Sequence, residues 1–206
     1  INDIMVAPFG EALYADAVAV VIGAENYEDS NIPQAPYAKR DAEVMKQYFK
    51  TSLGIPESDI AVLTDEMVTS RTMKDIFFRK GLEEKVNPDK TDIFIYYSGH
   101  GVPMEIDGKS EMFLIPSDCD KSYIAEDGIS INALYSRLKS LNARSVTVIL
   151  DACFSGGSRY SGAYTSQNIT GHKMVMPDLS AMEQPWLEDP NFRVFTSSRG
   201  DQTSQG

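Results

Sequence analysis

The chain has 206 residues, enough for one domain that buries about 70% of the surface its unfolded form exposes. Its 19 basic against 30 acidic residues give a net charge of −11, which argues against nucleic acid as a partner and leaves a basic peptide surface, or plain solubility, as its use. Two cysteines make no disulfide framework, and no apolar run approaches the ~18 residues of a membrane span. No signal peptide is visible, but the chain starts at Ile1, so the natural N-terminus is expected to be absent. The compartment stays open, with the cytoplasm as default.

Residues 1–16 read as an arm or loop. Ala17 to Gly23, AVAVVIG, is the first core strand, and its unbroken apolar run is that of a parallel strand covered on both faces. The following ENYEDSNIPQAP is a turn-rich loop. A helix is expected from about Tyr37 to Leu53, with Pro36 at its start and Gly54 as its stop. Asp59 to Leu63 is a second strand. Thr69 or Ser70 caps a second helix to about Val86, with Met73, Ile76, Phe77 and Leu82 on one face and Gly81 weakening it. Thr91 to Ser98 is the third strand, and Asp107-Gly108 between two alternating arms signals a hairpin. Ser130 caps a third helix to about Leu141. Ser145 to Leu150 and Asn191 to Ser197 are the fourth and fifth strands. This order predicts one α/β domain, a mostly parallel sheet with helices on both faces. Residues 156–190 form a long, polar, poorly periodic loop of the kind that is usually functional. The chain stops just after the fifth strand, where a bare sheet edge would be left, so further chain is expected in the natural protein.

Two strands run into small residues and reactive side chains: TDIFIYYSGHG delivers His100, and SVTVILDACFSGG delivers Cys153. Crevices in open parallel sheets lie beyond the C-terminal strand ends, so on neighbouring strands the two side chains would meet. An imidazole can take a thiol's proton and return it to a leaving amine. Gly101 follows the histidine, and its N–H with that of Cys153 would form an oxyanion hole worth roughly 3 kcal/mol per donor. The plainer reading makes Cys153 a buried hydrophobe, but two reactive residues at two matching strand ends favour catalysis. His172 reads as a solvated loop residue and Cys119 as core or an exposed thiol. Asp151, two residues before Cys153, would share its face and sit in the pocket for the residue before the scissile bond. A carboxylate there selects Arg or Lys, although a strand-end cap is the simpler use. Asp201 is a second candidate acid, with a turn aspartate as its alternative.

YYSGHG together with LDACFSG resembles the caspase-like cysteine peptidases, in particular the metacaspase and bacterial orthocaspase branch. AVVIGAENY, APYAKRDA and FTSSRGDQTS fit the same pattern in the same order. The resemblance implies a caspase-like three-layer α/β sandwich and a Cys153–His100 dyad, with the oxyanion held at Gly101 and Cys153. It also implies a peptide or protein substrate cut after Arg or Lys, read by Asp151 and Asp201. Animal caspases carry QAC where this chain has Asp151-Ala152-Cys153, and a carboxylate there would repel an aspartate substrate. Phe154 stands where metacaspases commonly have histidine. Some metacaspases need calcium, for which Asp118, Asp120, Glu126 and Asp127 are candidates here, against the alternative of a solvated acidic loop. The acid expected a few residues after the cysteine is replaced by Arg159-Tyr160. The resemblance implies no cofactor for the chemistry itself, and it lacks the family's C-terminal portion. Arg159 and Lys173, in the long loop, are candidate self-cleavage positions. A catalytically silent interaction module of the same fold is the rival reading. A nucleotide-binding α/β domain is the other, weakened by the missing phosphate-binding glycine loop.

Overall fold

The structure, a computed structural model, describes residues 13–152, 173–174 and 184–197. In chain order the elements are β1 (Ala17–Gly23), α1 (Ala38–Thr51), β2 (Ile60–Thr64), α2 (Ser70–Phe78), α3 (Lys80–Glu83), β3 (Asp92–Ser98), β4 (Gly101–Ile106) and β5 (Lys109–Leu114). There follow α4 (Ile124–Asp127), β6 (Ile129–Ser130), α5 (Ile131–Ser140), β7 (Ser145–Asp151), β8 (Lys173–Met174), α6 (Pro185–Glu188) and β9 (Phe192–Thr196).

Five strands form one sheet in the order β2-β1-β3-β7-β9, and all four pairings are parallel. Every residue of β1 and β3 is buried, which is why those segments read as unbroken apolar runs. One face packs Ala19, Val21, Phe94 and Tyr96 against Ala42 and Phe49 of α1. The other packs Ile22, Ile95, Tyr97 and Val148 against Met73 and Phe77 of α2 and Leu134 and Leu138 of α5. Each Val, Leu, Ile, Phe or Met among them, fully buried, contributes about 1.5–3 kcal/mol. The sheet with helices on both faces is the three-layer α/β architecture that the sequence predicts. Among the described residues no helix is long and apolar enough to cross a membrane.

The local signals were accurate. Thr69 accepts from Thr72 N–H, and Ser130 from Ala133 N–H, as helix caps. Asp107 and Gly108 both take positive φ, 51° and 75°, and join β4 to β5 as a two-residue hairpin.

Two expectations need correction, and the hairpin, borne out, has a wider setting. The helix expected to run to Val86 breaks at Arg79, whose φ and ψ of −112° and −140° are not helical, and resumes as α3. The hairpin is the centre of a second, antiparallel sheet, β6-β5-β4-β8. The stretch 156–190 is not loop throughout: Lys173–Met174 pair with β4, and Pro185–Glu188 are helical with proline in the first turn.

Candidate active site

The register of the parallel sheet sets Gly23, Ser98 and Asp151 side by side at the C-terminal ends of β1, β3 and β7. The contact continues past the strands, where Gly99 N–H donates to the Asp151 carbonyl at 3.3 Å. His100 is the second residue beyond Ser98, and Cys153 is the second beyond Asp151. The two strands expected to be neighbours are neighbours, in a register that brings their ends level. Cys153 lies outside the described residues, as do Asp201, Arg159 and His172. Ala152, which precedes the cysteine, is buried at the end of β7.

The His100 ring is held from the loop between β1 and α1. Its Nε2 lies 2.8 Å from the Pro33 carbonyl oxygen. A carbonyl can only accept, so Nε2 carries the proton and Nδ1 is the basic nitrogen of the neutral ring. Burial pushes the His100 pKa below its ordinary value, while the carbonyls of Pro33 and Gln34 partly oppose that shift. The ring also packs on Tyr27, with centroids 5.1 Å apart. The one sequence signal for this loop was Ile32, an apolar residue among turn formers, which is 3% exposed and anchors the segment.

Gly101 opens β4 opposite Leu114. The bond from Ile115 N–H to the His100 carbonyl makes Gly101 and Leu114 a non-hydrogen-bonded pair. The Gly101 N–H therefore points away from β5.

Asp151 follows Ile149 on the face of the sheet that α1 covers. There it meets Asp41, in the first turn of α1. Burial pushes the Asp41 carboxyl up, and the negative charges of Asp151 and Glu25 push it further, against the pull of Arg40. The Tyr96 hydroxyl is raised by burial first and then by Asp151 and Asp41, with Ser98 opposing through a hydrogen bond. Asp151, Asp41 and Glu25 thus gather negative charge near the strand ends. Asp41 lies within the APYAKRDA segment, yet no spacing in the sequence ties it to Asp151.

Three of the four acidic residues named for calcium place a carboxylate oxygen on a backbone amide. Asp118 accepts from Ser70 N–H at 2.7 Å, at the start of α2, and Asp120 from Ser122 N–H at 2.7 Å. Asp127 accepts from Asp120 N–H, and it is the backbone of Glu126 that meets Lys74. Among the described residues no group of three acidic, histidine or cysteine side chains is placed to hold a metal ion.

Comparison with known proteins gives one family match across nearly the whole chain. The sequence model described as Caspase domain matches residues 16–205. Metacaspase-7 of Arabidopsis thaliana is 33% identical over 127 residues, which covers 57% of this chain and 30% of that protein. The chain thus spans under a third of that curated relative. A solved structure, that of pro-sf-caspase-1, aligns over 96% of this chain and 65% of its own, with a TM-score of 0.46 at 8% identity.

Proposed function

The chain belongs to the caspase-domain family of cysteine peptidases, and from that premise we propose that it is an endopeptidase cutting after Arg or Lys through Cys153 and His100. The observation that carries this reading is the level pairing of Ser98 with Asp151, since the sequence sets His100 and Cys153 the same two residues beyond that pair.

In the proposed reaction Nδ1 of His100 takes the thiol proton as the sulfur attacks the substrate carbonyl. The oxyanion is received by the Gly101 and Cys153 N–H groups, and the orientation of Gly101 away from β5 supports its part. His100 then protonates the leaving amine, and water hydrolyses the thioester with His100 again as base. Pro33 keeps the proton on Nε2 throughout. Nucleophile, base and oxyanion donors all come from the chain. The negative charge that Asp151 and Asp41 bring together favours a cationic side chain, with Asp201 as a further acid for it. Lys173, in β8, and Arg159 are the bonds offered for self-cleavage.

Fluorogenic peptides ending in Arg, Lys or Asp test the reading, with Cys153→Ala as the inactive control. Arg and Lys peptides should be cut and Asp peptides spared. Asp151→Asn should lower kcat/KM on the Arg peptide by about 10- to 100-fold, the loss of a charge-assisted hydrogen bond of roughly 1.5–3 kcal/mol. Mass spectrometry of the same samples should show breaks after Arg159 or Lys173 that Cys153→Ala lacks. Cleavage after Asp would overturn the pocket. No cleavage at all would favour the silent interaction module.

A further inference from the structure

A general base must be held in place, and His100 sits in a short turn between two strands. The turn joins β3 to β4 and has glycine on both sides of the histidine, Gly99 at φ 155° and Gly101. What surrounds it is a pair of phenols from two different elements. The His100 N–H donates to the Tyr27 hydroxyl at 2.9 Å, and that hydroxyl donates to the Ala24 carbonyl at 3.1 Å. The Tyr97 hydroxyl lies 2.8 Å from the His100 carbonyl oxygen and 3.0 Å from that of Ile115, and it accepts from Ile115 N–H at 3.2 Å.

We propose that Tyr27 and Tyr97 are positioning residues for the general base, their neighbouring hydroxyls gripping the two peptide groups of His100. The inference rests on the peptidase reading above and adds to it the residues that aim the imidazole. Both hydroxyls pack against Gly99. A Cβ there would lie 2.7 Å from the Tyr97 oxygen and 3.0 Å from the Tyr27 oxygen. The glycine is thus required by the clamp as well as by the turn. Tyr97 is fully buried, and the same loop that brings Tyr27 brings Pro33 to Nε2. One loop therefore holds the histidine at its amide, its ring face and its ring nitrogen. Replacing either hydroxyl by hydrogen keeps the ring packing and leaves one backbone group of the turn without that partner.

The test uses Tyr27→Phe and Tyr97→Phe in the full chain, with the exposed Tyr123→Phe as control. Four quantities are read: kcat and KM on an Arg peptide, the His100 imidazole titration by NMR, and the melting temperature. The chain has only two histidines, so His100→Gln assigns the signal. Each clamp variant should lose roughly 10- to 100-fold in kcat, the scale of a small misplacement of a catalytic group, with KM within about twofold. The His100 titration should move up toward the ordinary histidine value as the loosened ring gains water, and Tyr123→Phe should change nothing. Folded variants with wild-type kcat and an unmoved titration would overturn the clamp. If one variant does not fold, the other carries the same two readouts. If the wild-type chain cuts no peptide, the peptidase reading fails and the titration alone decides: a shift in the folded variant supports the clamp, and its absence sinks it.

Discussion

Cys119 and His100 show how the same burial has different consequences for different side chains. Cys119 is 1% exposed, and burial, followed by the charges of Asp127, Asp118, Asp120 and Asp29, pushes its thiol up to about 12. A thiol of that kind does not react near neutrality. Iodoacetamide at pH 8 should therefore modify one thiol per native chain, mapped to Cys153, and two after denaturation. Labelling of native Cys119 would contradict the burial argument. For His100, burial disfavours the imidazolium, so its folded pKa lies below its unfolded value. The neutral, proton-accepting ring therefore persists to lower pH than in a free histidine. The stability linked to it is fully present above about pH 6.5 and is lost as the pH falls through the folded value. The acid limb of kcat/KM should accordingly fall below about pH 6.5. A limb above pH 7 would show that His100 is not the neutral base.

At the scale of elements, one close approach and one tether position the site. β1 meets the start of α1 at Gly23, where a Cβ would come within 2.8 Å of the Ala42 Cβ and closer still to the Ala38 carbonyl oxygen. The obstruction is partly backbone, so it cannot rotate away. Gly23→Ala should cost about 1–3 kcal/mol, the price of overpacking, read as a lower midpoint in urea with an unchanged m-value. A wild-type midpoint would show that α1 can shift. The tether is Asp65, 6% exposed, which accepts from Glu25 and Asn26 N–H at 3.3 and 3.2 Å and pairs with Lys39 at 3.4 Å. It ties the end of β2 to the loop that carries Tyr27 and Pro33. The hairpin and the two caps were legible in the sequence because their chemistry is local, a side chain or turn meeting its own neighbourhood. The break at Arg79 was not legible, because the apolar spacing of Met73, Ile76, Phe77 and Leu82 continues across it.

Across the whole molecule, the alignment of β3 with β7 is pinned at both ends. At the C-terminal end it sets the site. At the N-terminal end the Asp92 carboxylate, 4% exposed, takes Arg144 Nε at 3.1 Å and Ser145 Oγ at 2.7 Å. Burial opposes ionisation of Asp92, but the hydrogen bonds from Arg144 and Ser145 outweigh it and hold the carboxyl below its usual range. A depressed carboxyl adds stability that is fully present above the unfolded value near 3.9 and is lost as pH falls through the folded one. Asp92→Asn should therefore be less stable than wild type at pH 6, and the gap should narrow steadily below pH 4, measured by urea denaturation. A gap independent of pH would rule out this linkage.

Apolar periodicity, capping residues and glycine-ended strands are written along the chain, so the sequence alone determined the α/β order, the hairpin and the two strand ends that present His100 and lead to Cys153. Tertiary structure decided which atoms surround them. The Pro33 carbonyl is a backbone group that every residue possesses, so no residue type announces it. Asp41 faces Asp151 only because α1 lies across that face of the sheet. Asp118 caps the start of α2 because the Ser70 amide, 48 residues away, reaches its oxygen. These partners are far apart in sequence and are chosen by packing, which leaves no periodic trace in the chain.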